Sequence, residues 1–109
     1  MQESDYRLGV LKTWNFKERT LTHPQLMLDN AAMGLAGEAG EFLDEIKKHL
    51  HHGVELNLTK VMKELGDVRY YYTMNCYLLG TDDEEVKAAN NLKLRLRYPE
   101  GFKDGGGLR

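Results

Sequence analysis

The chain has 109 residues, 41% of them apolar and 29% charged, which describes one domain able to build a core and excludes a disordered tail. Fifteen Lys and Arg against 17 Asp and Glu leave a formal charge of -2, without the basic excess of a dedicated nucleic-acid binder. The lone cysteine, Cys76, excludes an internal disulfide framework, and no apolar run approaches the ~20 residues of a membrane helix. The first residues hold two acids and no apolar signal-like stretch, so a cytoplasmic, reducing setting is expected.

The two prolines, Pro24 and Pro99, lie outside the centre of the chain, which predicts a largely helical fold. A first helix is expected over 6–16, with Leu8, Leu11 and Trp14 as its apolar edge. A polar link, 17–23, leads to Pro24, a residue suited to a helix's first turn. The second helix is expected over 24–52, ended by Gly53, and the third over 58–79, ended by Gly80. Thr81 to Glu84 reads as a capping box for a fourth helix over 82–97. Four glycines in the last nine residues predict a mobile tail over 98–109. Within the second helix Gly34, Gly37 and Gly40 recur every third residue, each costing about 0.8–1 kcal/mol relative to Ala. Close packing over small residues, with Ala31, Ala32 and Ala36, is the expected return.

Charge patterning points to chemistry. At about 100° per residue, Glu38, Glu41 and Glu45 fall within about 60° of one another. Leu35, Phe42 and Ile46 lie beside them, so these acids border an apolar stripe. Glu64 and Asp67, three apart on the third helix, likewise border Val61, Val68 and Tyr71. A solvated charge run suits Asp82 to Glu85, but like charges on one helix face repel. Acids at the edge of a core on two helices are better explained by a divalent cation. All-oxygen donors suit Mg2+ or Mn2+. A di-iron bundle would need Glu-x-x-His pairs, and none of His23, His49, His51 or His52 follows an acid by three. Cys76 reads as a small buried residue.

Gly34-Leu35-Ala36-Gly37-Glu38-Ala39-Gly40-Glu41 resembles the first motif of the MazG-type nucleotide pyrophosphohydrolases. Lys63-Glu64-Leu65-Gly66-Asp67-Val68, followed by Tyr71-Tyr72, resembles the second. Asn90 to Leu94 and Arg97 to Phe102 resemble the third, so the likeness runs in order over about 29–102. It implies an all-α fold, a four-helix MazG-type bundle completed by dimerisation, as a homodimer or homotetramer. It implies hydrolysis of a nucleoside triphosphate to monophosphate and pyrophosphate in a nucleotide-pool or house-cleaning role. It also implies Mg2+ held by Glu38, Glu41, Glu64 and Asp67, with Mn2+ as a substitute. Gly37 stands where the fuller motif has a second acid, and Glu45 has no secure counterpart.

With the motif in view, Asn90 and Lys93, which share a face with Arg97, are expected to contact phosphate or metal-bound water. Tyr71, one turn beyond Asp67, and Trp14 are candidates for the flat wall against a base. Substrate attack is expected at the α-phosphorus, with Glu38 or Glu41 as proton acceptor. Two alternatives stand beside this reading: a relative specialised for dUTP or a phosphoribosyl-nucleotide, and a non-catalytic helical interaction module. Small domains bury a smaller share of their surface, which independently favours self-association.

Overall fold

The computed structural model describes residues 1–14 and 24–102. Four α-helices follow in chain order: α1 (Glu3–Thr13), α2 (Pro24–His51), α3 (Leu58–Leu79) and α4 (Asp83–Arg97). The described residues contain no strand, only an isolated bridge between Pro99 and Gly101. The fold is all-α.

Helix α1 starts three residues earlier than the pattern of apolar residues suggests. Glu3 and Asp5 sit in its first turn, where carboxylates complement the helix dipole, and the Tyr6 amide donates to the Gln2 carbonyl at 3.0 Å. It ends at Thr13, and Trp14 is extended (φ -84°, ψ 132°), so the expected continuation through residue 16 fails at Trp14. The expected polar link over 17–23 lies outside the described residues.

The two long helices form a hairpin. Gly53 (φ +68°) reverses the chain after α2, and the Val54 amide reaches back to the Lys48 carbonyl at 3.3 Å. Asn57 caps α3 by accepting from the Lys60 amide at 3.1 Å. Gly80 (φ +72°) closes α3, with its amide on Tyr77 and the Thr81 amide on Cys76. The cap of α4 sits one residue later than the expected box. Asp82 accepts from the Glu85 amide at 2.8 Å, while Thr81 bonds the Glu85 carboxylate and Glu84 pairs with Lys87 at 2.7 Å.

Packing is concentrated between α2 and α3, with α1 laid against α3. Val10, Ala31 and Met74 form the buried centre, with Tyr6, Trp14, Tyr70, Tyr71 and Leu78 around them. Asn75 ties the hairpin by donating to the Ala31 carbonyl at 2.9 Å. The glycine series divides here. A Cβ on Gly34 would stand 2.3 Å from Tyr71 Cε1, so only glycine admits that ring. Gly37 and Gly40 face open space, so the expected close packing is confined to Ala31 and Gly34.

Helix α4 packs along none of the other three helices. Its Leu92 and Leu96 are exposed. The radius of gyration is 17.3 Å, against about 13 Å for a compact chain of this length. Beyond α4, Tyr98 to Phe102 form a turn. Gly101 adopts φ +83°, its amide donates to the Tyr98 carbonyl, and the Tyr98 and Phe102 rings lie 5.9 Å apart. Residues 98–102 of the expected mobile tail thus adopt a turn, and residues 103–109 lie outside the described set.

Candidate metal centre

The hairpin turns two linear acid patterns into one cluster. Glu38 and Glu41 sit one turn apart on α2, and Glu64 and Asp67 one turn apart on α3. Because α2 and α3 run past each other, carboxylate oxygens of Glu38, Glu64 and Asp67 lie within 4.8 Å of one another. Glu38 and Glu64 are partly buried and Asp67 is exposed, so the cluster opens to solvent on one side. None of the three meets a Lys or Arg at ion-pair distance among the described residues.

Glu38 feels the crowding most. Its carboxyl is pushed above the ordinary glutamate range, first by burial and then by the charges of Asp67, Glu64 and Glu41. Glu41 thus acts on the cluster through its charge, although its own oxygens are not among the converging set. Glu45, two turns along from Glu38, has a different role. It pairs with Lys60 at 3.0 Å and Lys48 at 3.4 Å. The Lys60 hydrogen bond holds its carboxyl below the usual range. It joins α2 to the start of α3 and is neutralised there.

The donor set fits a hard divalent cation. All three donors are carboxylate oxygens, the kind that Mg2+ and Mn2+ prefer. They lie within 4.8 Å of one another, and their mutual repulsion is what a cation would relieve. The remaining expected site residues lie at the end of α1 and on α3 and α4. Tyr71 lies over Gly34 and meets Tyr70 edge-on, with ring centroids 5.4 Å apart. Trp14 packs against the same core cluster. Lys93 lines an open cavity of about 480 Å³ on α4 with Ala89, Leu92, Leu96 and Arg97, and Asn90 is exposed on the same helix.

Sequence reasoning did not find the polar junction between α1, α3 and α4. Arg69 pairs with Glu3 of α1 and, at 3.7 Å, with Asp83 of α4. The Tyr72 hydroxyl donates to Asp83 at 2.8 Å. The Arg69 guanidinium also lies 5.2 Å from the Tyr72 ring centre and 5.8 Å from that of Tyr6. The three-residue spacing of Arg69 and Tyr72 was visible, but nothing in it names partners on two other helices.

Comparison with known proteins bears on the whole arrangement. The MazG nucleotide pyrophosphohydrolase domain matches residues 28–102, which includes every residue of the acid cluster and all of α4. The Gene 37 protein of Mycobacterium phage L5 is similar, with 36% identity over 84 residues, 73% of this chain and 74% of that protein. No solved structure gives a significant match. No helix among the described residues is long and apolar enough to cross a membrane. With the match covering more than half of the chain and the two acid-bearing helices packed together, the chain belongs to the MazG nucleotide pyrophosphohydrolase domain family.

Proposed function

We propose that the protein hydrolyses nucleoside triphosphates, (d)NTP plus water giving (d)NMP plus pyrophosphate, with Mg2+ as the cofactor and Mn2+ as a substitute. The observation that carries this reading is the convergence of Glu38, Glu64 and Asp67 from two helices within 4.8 Å, uncompensated by any cation of the described residues. Such a cluster costs folding energy through like-charge repulsion, and that cost is explained by a ligand that removes it.

Glu38, Glu64 and Asp67 would hold the divalent cation, with Glu41 completing the set from one turn along α2. Bound there, the cation supplies charge neutralisation for the triphosphate and lowers the pKa of water. Glu38 or Glu41 accepts the proton of the attacking water as the α-phosphorus bond to pyrophosphate breaks. Asn90 and Lys93 contact the phosphates; Tyr71 and Trp14 offer aromatic surface to the base. Self-association to a homodimer or homotetramer belongs to this reading. Its support is the open shape, the exposed Leu92 and Leu96, and the lack of an extended packing partner for α4 among the described helices. Pairing is what would bring Asn90 and Lys93 to the acids.

The test is product release from a panel of canonical and modified triphosphates, dUTP and a phosphoribosyl-nucleotide included, with and without Mg2+. Mg2+-dependent pyrophosphate release from at least one member is the expected result. Orthophosphate as the product, or no release from any member, would overturn the proposal.

A further inference from the structure

The polar junction at the start of α4 does more than fill a surface. Helix α4 leaves α3 after the short turn at Gly80 and then packs along no other helix among the described residues. Its direction therefore depends on what holds its first turn. The side chain of Asp83, only 13% exposed, receives the Tyr72 hydroxyl at 2.8 Å and the Arg69 guanidinium at 3.7 Å. Arg69 is itself held from the other side by Glu3. Lys87 approaches the same carboxylate at 3.4 Å from within α4, so it does not tie α4 to anything else.

We infer that Asp83 is a positioning residue: clamped by Tyr72 and Arg69, it sets the angle at which α4 leaves α3 and so the placement of Asn90 and Lys93. The inference rests on the reading of α4 as a phosphate-contacting helix. Its physical basis is leverage. Lys93 lies ten residues beyond Asp83, about 15 Å at 1.5 Å per residue, so a tilt of about 10° moves it by more than about 2 Å. A displacement of about 1 Å is enough to impair a positioned catalytic group. The hydrogen bond from Tyr72 is the foremost reason that the Asp83 carboxyl is held below the ordinary aspartate range, with the charges of Arg69 and Lys87 acting in the same sense. The clamp is thus made by the charged carboxylate.

The experiment compares the full-length Mg2+-loaded protein with its Tyr72→Phe, Asp83→Ala and Lys87→Ala variants. Hydrogen exchange along α4 and the steady-state constants for a hydrolysed triphosphate are both measured. Tyr72→Phe keeps the ring beside Arg69 and removes only the hydrogen bond. It should speed exchange in α4 and leave α3 unchanged. It should also raise KM for the triphosphate several-fold, and Asp83→Ala should raise it roughly tenfold, the size expected for a hydrogen bond to a charged group. The Mg2+ concentration for half-activation should stay constant, because the acids lie on α2 and α3. Lys87→Ala should change neither exchange nor KM. In a Lys93→Ala background Tyr72→Phe should add little, since both act through the same side chain.

A variant that merely lowered the folded fraction would reduce the maximal rate at constant KM, and that result overturns the inference. Unchanged α4 exchange in both Tyr72→Phe and Asp83→Ala overturns it as well. If the wild-type protein hydrolyses nothing, or Lys93→Ala has no effect, the phosphate-contacting reading of α4 falls. The clamp is then still decided by the exchange data.

Discussion

Helices α2 and α3 on one side, and α4 on the other, show two ways of using an amphipathic helix. The first two bury their apolar edges against each other and draw their acids into one cluster. Helix α4 has leucines too, yet Leu92 and Leu96 remain exposed, and among the described residues its first turn is held by the polar clamp at Asp83. In the hairpin, packing creates the charged site. In α4, a charged contact directs a helix whose apolar face is left for another surface. The division shows that a shared patterning decides which residues belong together, while the tertiary partner decides what they do.

The sharpest way to break the comparison is to disable the hairpin's acids. Asp67→Ala removes one of three converging carboxylates, and on the proposed function it should remove several kcal/mol of transition-state stabilisation. Mg2+-dependent pyrophosphate release should fall by more than about a hundredfold, while circular dichroism still reports a helical protein. Full activity in this variant would remove the cluster from the site.

The next largest effect concerns the open face of α4. Replacing both Leu92 and Leu96 with Asp should reduce the mass seen by light scattering to that of one chain, and activity should fall with it. A monomeric variant that kept its activity would show that α4 needs no second copy.

Within the hairpin, the glycines offer an internal contrast. Gly34→Ala forces a methyl group into the Tyr71 ring and should cost about 1–3 kcal/mol of stability. Gly37→Ala and Gly40→Ala meet nothing and should each stabilise the helix by up to about 1 kcal/mol. Denaturant unfolding of the three variants checks both signs together.

The smallest effect is the most specific to charge. Because the Glu38 carboxyl is raised above its ordinary range, the folded state binds this proton more tightly than the unfolded state does. Stability from this group is therefore greatest at low pH, falls as pH rises through the window between the two values, and stays low above it. At neutral pH Glu38→Gln should raise the melting temperature of the metal-free protein by about a degree or two. The same substitution should diminish the further rise that Mg2+ gives the wild-type protein. A lower melting temperature without metal would show that Glu38 is not under repulsion.

Much of the fold could be read from local chemistry. Gly53 and Gly80 need only a left-handed residue at a helix end, a requirement that is local by nature. The acids were also legible, since three- and four-residue spacing puts them at the edge of an apolar stripe. The convergence of Glu38, but not Glu41, with the α3 acids was not legible. Both share a face of α2, and the rotation of α2 against α3 decides between them. The same rotation separates Gly34 from Gly37 and Gly40. The cap of α4 was displaced because Thr81, Asp82 and Asp83 are all capable of capping, and Asp83 is drawn to Tyr72 instead. Tyr71 stands one turn beyond Asp67 in the sequence, but spacing could not reveal that its ring occupies the gap left by Gly34.

The most direct measurement is hydrolysis of a triphosphate substrate by the Mg2+-loaded protein in water enriched in oxygen-18. If the acid cluster directs water to the α-phosphorus, the label enters the nucleoside monophosphate and the pyrophosphate stays unlabelled, in a reaction that Asp67→Ala suppresses. Label in pyrophosphate, release of orthophosphate, or undiminished turnover in Asp67→Ala would contradict the account.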